Sequence, residues 1–282
     1  MRTRALCAVL AAALASTPVW SLTVEEARDR LQSQAESPQY GRLFQDTLSE
    51  LDRIADAAEL LLDLGDSIPE EDIRLELMIE TAGAAELAGA THAANRLYES
   101  IQAVTPANVR AGIGAASTAL EMGNHEQAKR QATYVINHAG RIADQKRAAR
   151  IRTRALALEG ATQVALLHSR SLAAGTDPTT VQPQDLYLLY QMALLNDQID
   201  LAEEAEERLM ALYPTSPEAA SIADRSTGTR PFASPSEILL TAQMPRPNRE
   251  AEQSRMASPS AESPTSAVRP TQDDARTAEA GA

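Results

Sequence analysis

The sequence predicts an all-α fold: a solenoid of stacked helical hairpins, with N-terminal helices before it and a disordered C-terminal tail after it. Three observations lead to this prediction. A pattern of small residues returns at intervals of 34 to 37 residues, apolar residues recur at helical spacing, and no segment shows the period-two alternation of a strand. With 282 residues and a hydrophobic fraction of 44%, the chain is long enough for one or two domains.

The first segment, 1–21, predicts a secretory signal peptide. Arg2 and Arg4 precede an apolar run over 5–15, and small residues follow that run. This order is typical of a cleaved export signal. A membrane anchor is the alternative, but the run is shorter than the roughly 20 residues that span a bilayer. Cleavage before Leu22, or earlier after the alanines, would leave an exported chain that is periplasmic or secreted.

Cleavage would also change the chemistry available to the chain. The segment holds the only cysteine, Cys7, and the only tryptophan, Trp20, so the mature chain would have no disulfide and no zinc-thiolate site. Because two arginines leave with it, the formal net charge changes from -13 to -15. Nucleic-acid binding requires extensive contact between basic side chains and phosphates, and the chain is strongly acidic overall, so we expect no nucleic-acid partner. The mature chain shows no further transmembrane segment.

Helices are predicted before the repeats. Thr23 and Glu26 form a capping box, in which each side chain satisfies the other's backbone amide, and this box opens a helix over 23–35. A second, long helix is predicted over 40–64. Its apolar stripe consists of Leu43, Thr47, Leu51, Ile54 and Leu61.

The central region repeats one pattern of small and large residues. Ala82 and Gly89 recur 34 residues later as Ala116 and Gly123, and two further units follow in outline. Small residues on one helix face let two antiparallel helices approach closely. Gly89, Gly123 and Gly160 fall between the two helices, where glycine adopts a left-handed conformation without steric cost.

This helical hairpin, closed by a proline such as Pro106, resembles the tetratricopeptide repeat (TPR). We predict a repeat domain over 22–225, ended by a short helix that starts at Pro217. The final unit is most similar to repeats of exported bacterial proteins. The four predicted units are 75–108, 109–142, 146–179 and 183–216.

The resemblance implies a concave groove, lined by the first helix of each unit, that binds extended peptides. Three candidate residues, Arg147, Arg150 and Arg154, belong to a basic run over 146–154 and share one helical stripe. A guanidinium binds oxygens in pairs, so they would favour a carboxylate, a phosphate or an acidic peptide. The alternative is that they neutralise the protein's own acidic face. The other groove candidates are Ile113, Ser117, Tyr187 and Gln191.

The segment 226–282 predicts a disordered tail rich in Pro, Ser, Thr and Ala. Its few apolar residues cannot offset an ordering cost of roughly 1–2 kcal/mol per residue. Within it, the stretch 234–245 carries a capping box followed by Ile238, Leu239 and Leu240. This stretch is either a stray helical turn or a linear motif that docks on a partner or on the repeats.

The sequence contains no motif for catalysis, a cofactor or a metal ion. His125 and Glu126 do not continue into HExxH, Gly112 and Gly114 lack the third glycine of a dinucleotide fingerprint, and no serine lies in GxSxG. We therefore expect a non-enzymatic protein- or peptide-binding scaffold of the bacterial cell envelope. One alternative is a structural subunit of an envelope transport or assembly complex that contacts partners through the tail. The other is an enzyme or small-ligand carrier.

Overall fold

A computed structural model describes residues 22–175 and 179–226. Both the predicted signal peptide, 1–21, and the tail motif Ile238, Leu239 and Leu240 lie outside the described residues. Within the described ranges the chain forms twelve α-helices, one short 3-10 helix over Gly65–Ser67, and no strand. The all-α prediction is confirmed. The helices are α1 Val24–Ser33, α2 Tyr40–Ser49, α3 Ile54–Leu64, α4 Glu71–Leu87, α5 Thr91–Val104, α6 Val109–Glu121, α7 His125–His138, α8 Ile142–Leu158, α9 Thr162–Leu172, α10 Pro183–Leu195, α11 Ile199–Leu212 and α12 Pro217–Ser226.

Helix α1 begins with the predicted capping box. The Glu26 amide donates to Thr23 Oγ1 over 3.3 Å, and the Thr23 amide donates to Glu26 Oε2 over 3.0 Å. The predicted single helix over 40–64 is wrong, because α2 ends at Ser49 and α3 begins at Ile54. The amide of Leu51 turns back to the carbonyl of Leu48, which ends α2. Breaking here lets both halves bury apolar side chains in one core instead of extending past it.

Four helical hairpins follow: α4–α5, α6–α7, α8–α9 and α10–α11. Each helix packs against the next, and each first helix also packs against the first helix of the following hairpin, from α4 through α6, α8 and α10 to α12. The second helices of neighbouring hairpins contact one another less. The first helices therefore form one continuous row, which we call the inner row. This consecutive packing confirms the helical-hairpin solenoid.

The same turn closes the first helix of every hairpin. Gly89, Gly123 and Gly160 have φ values of 77°, 76° and 88°, and Asp197 takes the equivalent place with φ 55°. In the second hairpin the Asn124 amide donates to the carbonyl of Ala119 over 2.8 Å, which is the Schellman pattern. Equivalent hydrogen bonds occur in the other three hairpins. The left-handed residue satisfies the last carbonyls of the helix and sends the chain back antiparallel.

Small buried residues bring the helices together, and polar contacts join successive repeats. Ala82, Ala94 and their counterparts in the second unit are fully buried. Across repeats, Arg110 pairs with Glu80 over 2.9 Å, and the side-chain Nδ2 of Asn196 donates to the backbone carbonyl of Thr162 over 3.1 Å. Each repeat therefore depends on its neighbour to cover its apolar face.

Candidate functional site

The candidate site is the inner row of first helices, where α6, α8 and α10 carry the groove residues predicted from the sequence. They differ strongly in accessibility. Arg147 is exposed, while Ser117 and Arg154 are half-buried. The remaining four, Ile113, Arg150, Tyr187 and Gln191, are buried. The accessible part of the predicted set is therefore centred on α8.

Arg150 is engaged within the protein. Its Nη1 donates to Asp185 Oδ1 over 2.8 Å and to Gln182 Oε1 over 2.9 Å. Lys146 Nζ lies 3.2 Å from the other oxygen of the same carboxylate. Asp185 is fully buried and Arg150 is 9% exposed, so this pair joins α8 to α10 away from water. The charge of Arg150 is therefore neutralised within the protein by the carboxylate of Asp185.

Arg147 and Arg154 differ from Arg150, because neither forms an ion pair or hydrogen bond with the residues that the structure describes. The Nε atom of Arg154 is buried without a hydrogen-bond partner. Burial, and then the nearby charge of Arg150, lower the pKa of Arg154 to about 10, while Tyr187 and Glu218 act in the opposite direction. The guanidinium of Arg154 therefore has the charge of Glu218 nearby but no direct ion pair, and would gain from an incoming anion.

Sequence reasoning missed Tyr98 of α5, whose side chain packs between the first helices. A Cβ atom on Gly114 would lie 2.3 Å from the Tyr98 ring, so this glycine exists to admit the ring. The Tyr98 hydroxyl donates to Glu86 Oε2 over 3.1 Å. Burial first, and Glu86 second, raise the pKa of Tyr98, whereas Arg110 and Arg147 lower it. Tyr98 and Glu86 thus share one electrostatic neighbourhood with Arg147.

The inner stripe of α4 was also missed. Ile79 and Gly83 precede Ile113 and Ser117 by one 34-residue repeat, so the register itself could have identified this stripe. Glu76 and Glu86 lie on the same face, since they are three residues from Ile79 and Gly83, respectively. The sequence-based groove began only at the second unit and left these carboxylates out.

The inner row continues into α12 through Glu218. Its Oε1 accepts a hydrogen bond from Gln184 Nε2 over 2.8 Å, while its Oε2 is buried without a partner. Because Glu218 also acts on the pKa of Arg154, the two side chains belong to one cluster. The signal was present in the sequence, since Glu218 follows Gln184 by 34 residues.

Over 22–175 and 179–226, no group of three or more His, Cys, Asp or Glu side chains is arranged to hold a metal ion. In the same ranges, none of the helices combines the length and apolar character needed to cross a membrane.

No protein-family model matches the chain, and no curated protein sequence matches it. Among solved structures, BtubC (BKLC) from P. vanneervenii is 14% identical, with a TM-score of 0.49 over 83% of this chain and 96% of that one. A kinesin light chain protein from Podosopora anserina, described as having nearly identical TPR-like repeats, is 20% identical to this chain. Its TM-score is 0.46, over 66% of this chain and 95% of that one. PilF of Pseudomonas aeruginosa is 18% identical, with a TM-score of 0.39 over 72% and 99%. The fold assignment itself rests on the order and packing of the helices described above.

Proposed function

We propose that this protein is a non-enzymatic scaffold that binds an extended protein segment along its inner row of first helices. Arg147 and Arg154 of α8 receive a carboxylate of that segment. The observation that carries the proposal is the presence of two arginines on this row that form no ion pair or hydrogen bond within the described residues, beside a third arginine that is neutralised by Asp185.

The physical reason is the unfavourable free energy of a partly dehydrated Arg154 guanidinium whose Nε forms no hydrogen bond. A half-buried guanidinium without hydrogen-bond partners loses hydration and gains no compensating contact. A carboxylate placed between Arg147 and Arg154 would supply charge-assisted hydrogen bonds of about 1.5–3 kcal/mol. That range corresponds to roughly ten- to hundredfold in the dissociation constant. Because Arg147 is exposed, part of this gain is screened by salt.

The test is a peptide-display selection with the whole chain, followed by fluorescence anisotropy on the selected peptides. Arg147→Ala and Arg154→Ala are expected to weaken binding of acidic peptides by about tenfold or more each. Arg96→Ala is the matched control, because Arg96 is exposed on the second helix α5. A selection that yields no binding peptide would refute the scaffold proposal, and equal effects of all three variants would refute the role of α8.

Location in the cell envelope belongs to the same proposal and is supported by the basic and apolar pattern of 1–21. Mass spectrometry of the protein isolated from its native cell would identify the N-terminal peptide. An N-terminus at Leu22 in the envelope or medium fraction is expected. An uncleaved N-terminus in the cytoplasmic fraction would refute this part.

A further inference from the structure

Two polar side chains of the third hairpin, Arg152 of α8 and His168 of α9, are half-buried with unsatisfied hydrogen-bonding atoms. The Nε atom of Arg152 and the Nδ1 atom of His168 are both buried, and neither has a hydrogen-bond partner among the residues that the structure describes. A buried polar atom in this state is unfavourable, because it has lost its hydrogen bond to water and gained none in return. A ligand that accepts hydrogen bonds from both atoms would remove this penalty.

The two side chains lie at the same level of the hairpin. Each is eight residues from Gly160, the residue at the turn, so each lies about 12 Å along its helix from that turn. Because α8 and α9 run antiparallel and pack together, equal distances from the turn place the two residues at one height. An electrostatic effect agrees with this placement, since burial first, and the charge of Arg152 second, lower the pKa of His168.

The carboxylates nearest to this position in the fold are already engaged. The helices that contact α9 most are α8 and α10, and their acidic residues are Asp144 and Asp185. Asp144 lies 3.9 Å from an arginine, Asp185 pairs with two basic residues of α8, and Glu159 at the turn pairs with Lys129. The other charged residues of α8 are all basic: Lys146, Arg147, Arg150 and Arg154. Arg152 and His168 therefore form a small positive site that the protein leaves without a counter-charge.

This site is separate from the inner row. Arg152 is two residues from Arg150 and two from Arg154, which corresponds to about 200° around a helix that turns by about 100° per residue. Arg152 therefore lies on the opposite side of α8 from the stripe of groove arginines. A ligand bound there would not occupy the proposed peptide-binding surface.

We propose that Arg152 and His168 form a binding site for a tetrahedral oxyanion, either free phosphate or the phosphate group of a monoester. The guanidinium fork binds two oxygens of an oxyanion, through Nε and one Nη. A third donor, Nδ1 of His168, comes from another helix and requires a third oxygen, which a phosphate has and a carboxylate lacks. The imidazolium attracts an anion more strongly than the neutral ring does, so binding tightens as the pH falls.

The experiment follows the imidazole of His168 by NMR from pH 5 to 8 in the whole chain, with and without inorganic phosphate. The chain has 4 histidines, and the signal that is lost in His168→Gln identifies this one. A bound anion should raise the pKa of His168 by about one unit, which by linkage equals about tenfold tighter binding to the imidazolium than to the neutral ring. The rise should saturate with phosphate concentration. Sulfate, which keeps its charge over this pH range, should give the same result.

Variants of Arg152 separate anion binding from the ordinary effect of the nearby charge. Without phosphate, Arg152→Gln should raise the pKa of His168, because the positive charge is gone, and phosphate should then cause no further saturable rise. Arg152→Lys keeps the charge without the fork and should weaken binding by about tenfold. Arg130→Gln is the matched control, because Arg130 is an exposed arginine of α7, and it should bind phosphate as the unaltered chain does. Far-UV circular dichroism checks that each variant folds.

Other anions complete the test. Salt screens the action of Arg152 on His168 in any buffer, so sodium chloride at equal ionic strength gives the effect of screening alone. An equal rise in chloride, or a saturable rise that persists in Arg152→Gln, would overturn the site. Acetate that binds as tightly as phosphate would overturn the tetrahedral ligand. Methyl phosphate distinguishes the source: binding at least as tight as that of inorganic phosphate supports a monoester, and weaker binding supports free phosphate.

Discussion

The left-handed residue in each hairpin turn leads to a quantitative prediction for Gly123→Ala. Gly123 has φ 76°, and a Cβ atom there would meet nothing within 4 Å. The penalty is therefore one of backbone conformation alone. A residue with a Cβ pays about 1–2 kcal/mol in the left-handed region, and the lower entropy of alanine in the unfolded chain returns about 0.4–1 kcal/mol. We expect a net loss of about 1 kcal/mol in the free energy of unfolding.

Two further variants complete the test, which is urea unfolding of the whole chain followed by circular dichroism. Gly140 also has open space around a Cβ but no positive φ, so Gly140→Ala should be neutral or stabilising. Asp197 holds φ 55° in the fourth turn, so Asp197→Gly should be stabilising by a few tenths of a kcal/mol to about 1 kcal/mol. Equal shifts of the unfolding midpoint for Gly123→Ala and Gly140→Ala would refute the reasoning.

Three more predictions follow from individual contacts. Gly114→Ala should lower the free energy of unfolding by about 1–3 kcal/mol, seen as a lower unfolding midpoint, because the Tyr98 ring must move to admit the new Cβ atom. Gly83→Ala is the control. Its Cβ atom would lie 3.9 Å from the Tyr98 side chain, so this variant should be neutral or stabilising. Arg154→Met should weaken acidic-peptide binding and lower the melting temperature, because it removes a positive charge that acts on the buried Glu218, whose Oε2 has no hydrogen-bond partner; a higher melting temperature would contradict this. Burial, and then Arg152, lower the pKa of His168 below its ordinary value of 6.5, so protonation is less favourable in the folded state than in the unfolded one. Stability should therefore fall as the pH drops through 6.5, and His168→Gln should reduce that loss in melting temperatures measured from pH 7.5 to 5.

The parts of the fold that the sequence predicted well depend on local rules. Gly89 and Gly123 predict the turns, because few other residues adopt a left-handed conformation. The spacing of the alanines follows from the pitch of a helix. The break between Ser49 and Ile54 was not predictable in this way, since no proline or glycine marks it. It depends on how both helices reach one shared core, which is a property of tertiary packing.

The candidate site shows the same division. The sequence correctly placed Arg147, Arg150 and Arg154 on one helix. It did not predict that only Arg150 forms an ion pair within the described residues. Only the position of Asp185, 35 residues after Arg150, decides which arginine is neutralised. Periodicity gives the face of a helix and not the partner opposite each side chain. Tyr98 was not predicted as a site residue, because its contact with Gly114 joins two different units.

The order in which the helices contact one another along the chain has a consequence for how the chain folds. Helices touch mainly the next one or two along the sequence, so contact order is low and folding is expected to be fast. Each hairpin can close as soon as its own stretch is free and then dock on the preceding one. A polypeptide with this topology can acquire its structure progressively, from its leading end, while the remainder is still threaded through a narrow pore.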